Sequence, residues 1–146
     1  MTGVRQLRLV VHASDYAEAV HFFRDVLGAP VAEEYASDGG AHVTILDVGR
    51  ATLELSNDAQ VELIDRVEVG RRVAPHFRVA LEVDDCEAST RDAVEGGAEQ
   101  IAPPTRTPWD SVNSRLQAPA GIQLTLFQEL NATPGSAGAS APASTD

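Results

Sequence analysis

Four groups of residues recur along this chain at almost one spacing. Arg8 and Arg78 are 70 positions apart, Asp15 and Asp85 also 70, Gly28-Ala29 and Gly97-Ala98 69, and Leu53-Glu54-Leu55 and Leu124-Thr125-Leu126 71. Agreement of this kind marks an internal duplication with a unit of about seventy residues, so the chain must fold as one supersecondary unit used twice. Hydrophobic periodicity names the unit. Leu7, Leu9 and Val11 alternate with Arg8, Val10 and His12, as in a strand, and Ser14-Asp15 then offers a helix cap. Residues 16–27 follow with Ala19, Val20, Phe23, Val26 and Leu27 at helical spacing, and Gly28 stands where a left-handed stop is wanted. Extended segments are expected over 30–35, 41–48 and 51–56, separated by the turns Ser37-Asp38-Gly39-Gly40 and Gly49-Arg50.

The second copy repeats the order. Phe77, Val79, Leu81 and Val83 alternate with Arg78, Ala80 and Glu82, Asp84-Asp85 precedes a helix over 86–95, and Gly96-Gly97 ends it. Extended segments over 99–102, 112–118 and 122–128 complete the unit. The predicted class is therefore α+β, with tandem βαβββ modules in a single domain over 4–130. Module 1 covers about 4–57, a linker helix about 58–74, and module 2 about 75–130. Asn57 or Asp58 can cap the linker helix, whose Val61, Ile64 and Val67 share one face. Residues 131–146, NATPGSAGASAPASTD, hold one charge and no large apolar side chain, and are expected to form a disordered tail.

Charge and composition narrow the partners. The 146 residues carry 11 basic and 22 acidic side chains, a net charge of −11, and every basic residue is arginine. Without lysine, neither Schiff-base chemistry nor a P-loop lysine is available. The acidic balance and the scattered arginines argue against nucleic acid, and solubility is preferred over a steering field for cationic ligands as the reason for the acidity. No apolar run approaches the roughly 18 residues of a membrane span, and the N-terminus lacks the features of a secretory signal. Cys86 is the single cysteine, which excludes an internal disulfide and a cysteine cluster. The expected setting is the cytoplasm.

Two four-stranded sheets side by side, each with its helix on one face, leave a concave face that no helix covers. If Leu7, Leu9 and Val11 pack on the helix, strand parity puts their alternates in the cleft. The cleft set is then Arg8, Val10 and His12; Thr52, Glu54 and Ser56; Arg78, Ala80 and Glu82; and Gln123, Thr125 and Phe127.

With its duplicated units, its SDYAEAVHFFRDVLGAPV, TLELS and RVALEVDDCEA segments, the stretch from Gly96-Gly97-Ala98 through Pro103-Pro104-Thr105-Arg106-Thr107-Pro108-Trp109, and the ending Gly121-Ile122-Gln123-Leu124-Thr125-Leu126-Phe127, the chain resembles the vicinal oxygen chelate (VOC) superfamily. The resemblance covers about 6–128 and implies the glyoxalase/bleomycin-resistance fold, which hosts lyases, dioxygenases, epimerases, thiol transferases and drug-binding proteins. It also implies four metal-ligand positions on the concave face, usually His or Glu. Residue by residue, these fall on Arg8, Glu54, Arg78 and Thr125. Only Glu54 is a metal ligand by type, because a guanidinium has no lone pair to give. No cofactor is expected. A displaced site of His12, His42 and His76 is the alternative metal centre, although no ligand spacing supports it.

Arg8, Glu54 and Arg78 remain where relatives keep their metal. They form either a salt-bridge cluster that fills the space or a site in which Glu54 neutralises one guanidinium while the other takes a carboxylate, enolate or phosphate. Trp109 either stacks on a planar ligand or packs over a sheet edge, and Phe127 shares parity with Thr125. The expected function is metal-independent binding of a small organic ligand by Arg8, His12, Glu54, Arg78, Trp109, Thr125 and Phe127, of the resistance or sequestration type. The alternatives are a glyoxalase-like lyase or dioxygenase, and a metal-free enzyme with Glu54 as its catalytic base. A homodimer is expected, since an open eight-stranded sheet leaves edges to cover.

Overall fold

A computed structural model describes residues 8–51, 54 and 56–130. Its second module is a complete βαβββ unit. Strand β3 (Val79–Glu82) leads into helix α3 (Cys86–Glu95), then β4 (Glu99–Arg106), β5 (Ser111–Ala118) and β6 (Ile122–Glu129). Their order across the sheet is β3-β6-β5-β4, with β3 parallel to β6 and the other neighbours antiparallel. The Asp85 carboxylate caps α3 by accepting a hydrogen bond from the Ala88 amide at 3.1 Å. One face of the sheet is apolar. Leu116, Ala118, Leu124 and Leu126 pack there against Cys86 and Ala93 of α3 and against Ala98.

Module 1 is more open. Helix α1 (Tyr16–Val20) runs on as a π-helical turn (His21–Val26), in which the Leu27 amide donates to the Phe22 carbonyl at 3.0 Å. Asp15 caps it from the position equivalent to Asp85, accepting from the Glu18 amide. A hairpin of β1 (Val31–Ala36) and β2 (His42–Leu46) follows, and the linker helix α2 is Asp58–Glu68, capped by Asn57 through the Gln60 amide at 2.9 Å. Residues 8–12 carry no regular structure, and of the strand expected over 51–56, positions 52, 53 and 55 lie outside the described residues. Residues 1–7 and the tail expected over 131–146 also lie outside them.

Three expectations need correction. Leu9 and Val11 do not pack under the first helix: they are 59% and 39% exposed, while Phe22 of that helix is fully buried in the core of module 2. The helix finds a better apolar surface on the neighbouring module than on its own hairpin. The concave face is not free of helices either, because α2 lies against β5 and buries Asp65 and Glu68 on it. The buried residues of α2 are accordingly Ile64, Asp65 and Glu68, and Val61 and Val67 are only half-buried. The polar residues win that face because β5 presents polar partners to them.

Candidate functional site

The face of the module 2 sheet opposite α3 is polar. Alternation on β5 sends Ser114 and Leu116 toward α3 and turns Asn113 and Arg115 the other way. On β6 the same rule separates Leu124 and Leu126 from Gln123, Thr125 and Phe127. Thr125 lies directly opposite Arg115 in the β5–β6 pairing.

Arg78, just ahead of β3, reaches across to β6, and its Nη1 donates to Thr125 Oγ1 at 2.5 Å. Burial lowers the pKa of this guanidinium from its ordinary value, and the positive charge of Arg115 adds to the effect, while Glu68, Glu54 and Asp65 act in the opposite direction. The group stays charged at any physiological pH, so what burial changes is its hydration. Among the described residues Thr125 is its one hydrogen-bond partner, which leaves the other N–H groups of the fork available.

Beside this pair lies a buried ionic network. Arg115 is fully buried, with Nη1 donating to Asp65 Oδ1 at 2.8 Å and Gln123 Oε1 at 2.9 Å, and Nη2 to Glu68 Oε1 at 2.8 Å. Asn113 Nδ2 donates to Glu68 Oε2 at 2.6 Å, and the chain continues through Ser111 to Thr107. Burial works against the charged form of Asp65. Hydrogen bonds from the Ala74 and Val73 amides, together with Arg115, outweigh it and hold the carboxyl below its ordinary range.

The other expected site residues are dispersed. Arg8 is exposed and pairs with Glu33 at 3.3 Å, and Glu33 also accepts from the Tyr35 hydroxyl at 2.6 Å. Glu54 is exposed and is near enough for its charge to act on Arg78. His12 is exposed, His42 bonds to Glu34 at 3.0 Å and stacks on Tyr16, and His76 meets Phe77 edge-on. Phe127 is buried, and Trp109 is half-buried in the β4–β5 turn with its indole N–H enclosed and without an acceptor among the described residues. Cys86 sits on the opposite face, where burial raises its pKa and its thiol donates to the Leu126 carbonyl at 3.3 Å. A protonated thiol in an apolar core is a poor nucleophile.

Asp65, Glu68, Asn113 and Arg115 were not singled out by the sequence reading. Arg115 and Asn113 have concave-face parity on their strand, which is a usable signal. Their partners on α2 lie 45 to 50 positions away, with no local pattern to announce the pairing.

These positions do not suit a divalent ion. Two of the four expected ligands are guanidinium groups, and a third, Thr125, is hydrogen-bonded to one of them. Among the described residues no group of three or more His, Cys, Asp or Glu side chains is placed to hold a metal, so His12, His42 and His76 are not gathered. No helix among them is long and apolar enough to cross a membrane.

Comparison with solved structures finds the same fold. A glyoxalase family protein from Bacillus cereus is 16% identical with a TM-score of 0.57, covering 90% of this chain and 99% of its own. A protein of unknown function from Agrobacterium tumefaciens str. C58 is 20% identical with a TM-score of 0.56, covering 89% and 98%. A glyoxalase-related enzyme from Fulvimarina pelagi is 14% identical with a TM-score of 0.54, covering 97% and 100%. No curated protein matches the chain. The family model for the Glyoxalase/Bleomycin resistance protein/Dioxygenase superfamily matches residues 5–126, in agreement with the resemblance drawn from the duplicated motifs. With that match spanning most of both modules, the chain belongs to the glyoxalase/bleomycin resistance protein/dioxygenase superfamily.

Proposed function

We propose that the protein binds a small organic anion over its concave face without the help of a metal ion, as a binding or sequestering protein of the resistance type. The superfamily supports small-molecule binding in general. The observation that carries the finer reading is the Arg78–Thr125 hydrogen bond. It joins two of the positions where relatives hold metal, and it leaves a partly dehydrated guanidinium with donors to spare. Such a group gains most from a carboxylate, enolate or phosphate oxygen, since a charge-assisted hydrogen bond is strongest where water competes least. The negative charge of Glu54 also acts on this guanidinium. The free, buried Cys86 fits work in a reducing compartment such as the cytoplasm.

The test is calorimetric titration of purified protein with a panel of small carboxylates and phosphates, with and without chelator. The tightest binder should lose about 1.5–3 kcal/mol of affinity in Arg78→Ala, roughly tenfold to a hundredfold, and chelator should change nothing. Equal affinity in Arg78→Ala, or loss of binding with chelator, would overturn the reading.

A further inference from the structure

A second guanidinium belongs to β5, on the other side of β6 from the segment that carries the first. Arg115 faces Thr125 across the β5–β6 pairing, neighbouring strands lie about 5 Å apart, and the charge of Arg115 acts on Arg78. Arg115 is fully buried, yet its Nε has no acceptor among the described residues. Besides Gln123 on Nη1, its partners are carboxylates that α2 supplies: Asp65 on Nη1 and Glu68 on Nη2, each at 2.8 Å. Ile64 is the one buried apolar residue of α2. The helix is thus docked by charge more than by apolar area.

Buried ion pairs are weak stabilisers, because desolvation offsets most of the Coulomb gain; exchanging one carboxylate for another on the same guanidinium changes that balance little. The tether after α2 is held to the helix and to β6, since Arg72 pairs with Asp65 at 3.6 Å and the Val73 carbonyl accepts from Gln123 Nε2 at 3.1 Å, so movement must come from the other end. Residues 47–51 and 56–57 before the helix are exposed without regular structure.

We propose that Arg115 is a second ligand-binding guanidinium, that α2 occupies its place in the ligand-free protein, and that the ligand is a small dianion. One acidic group rests on Arg78. The other replaces Glu68 on Arg115 and Asn113, and α2 swings away. This assignment rests on the reading that Arg78 anchors an anion.

The wild-type protein carries its own reporters, because the Val73 and Ala74 amides donate to Asp65 Oδ2 at 2.7 and 2.8 Å. Hydrogen exchange is measured while the protein is titrated with succinate, a dianion, or acetate, a monoanion. Succinate should accelerate exchange at Val73, Ala74 and α2 at least tenfold, and acetate should not. Asp65→Asn with Glu68→Gln, which removes the competing charges, should bind succinate at least tenfold more tightly than wild type. If succinate binds and Arg78→Ala weakens it, but exchange at Val73 and Ala74 is unchanged or slower, the role of Arg115 is refuted and the Arg78 reading survives. If neither wild type nor the double variant binds any anion, both fail. Should the double variant not fold, the wild-type exchange data decide alone.

Discussion

Asp65 is held charged against the cost of its own burial, and that balance has a pH signature. Its pKa is lowered in the folded protein, whereas the unfolded chain keeps a value near 3.9. The unfolded state therefore takes up the proton first as pH falls. The stability contributed by this carboxylate is complete above about pH 4 and is lost on descending through the folded pKa. At pH 7, Asp65→Asn should cost about 3–5 kcal/mol by urea denaturation, since Arg115 is left short of a buried counter-charge. The gap between wild type and variant should then narrow steadily below pH 4, and a gap independent of pH would show that the carboxylate is not charged in the fold. The two arginine sites also differ in how much of them can be read from sequence. Arg78 and Thr125 are legible because the duplication offset and strand parity assign both to one face. The network around Arg115 is not, because its meaning depends on an α2 orientation that no local pattern dictates.

Helix ends are where local chemistry and element boundaries coincide. Asp15, Asn57 and Asp85 each cap the helix expected at their position, and Gly28 adopts the positive φ of +80° that its place after the first helix requires. The strands of module 2 are legible for a related reason: each has one face committed to α3, so alternation survives in the sequence. What local signals miss is which surface a helix chooses. Helix α1 and its π-helical turn pack on module 2, and there a Cβ on Gly96 would fall 2.6 and 2.7 Å from the two methyl carbons of Val26. Valine is stiff at χ1 and cannot swing both methyls aside, so Gly96→Ala should destabilise the protein by about 1–3 kcal/mol. Val26→Ala removes the obstruction. A double-mutant cycle by urea denaturation should give a coupling of about 1 kcal/mol or more, with the Gly96→Ala penalty shrinking in the Val26→Ala background. Additive effects would mean that the two helix ends do not touch.

At the scale of the whole molecule, the duplicated units have not ended up in equivalent surroundings. Module 2 encloses its core, whereas among residues 8–51 only Ala19 and Phe22 are buried, and Phe22 belongs to the core of the other module. Leu9, Val10, Val11, Val31, Tyr35, Val43 and Val48 are all exposed. Tyr35 and Val43 are cross-strand partners on the hairpin, so they project from one face, and a two-stranded hairpin whose apolar face is left exposed among the described residues is marginal in water. A second copy of the chain is the occupant we propose for this surface. A twofold contact needs only a self-complementary patch, and among the described residues neither outer edge of the β1–β2 hairpin has a partner strand. Sedimentation velocity at tens of micromolar should give twice the chain mass for the wild type. Replacing the paired residues, Tyr35→Glu with Val43→Glu, sets like charges opposite one another beside Glu33 and Glu34 and should return the protein to the mass of one chain. The module 2 core, which neither substitution touches, should keep Cys86 shielded from thiol reagents in that monomer. A wild type that sediments as a single chain would assign the apolar face of module 1 to something other than its own copy.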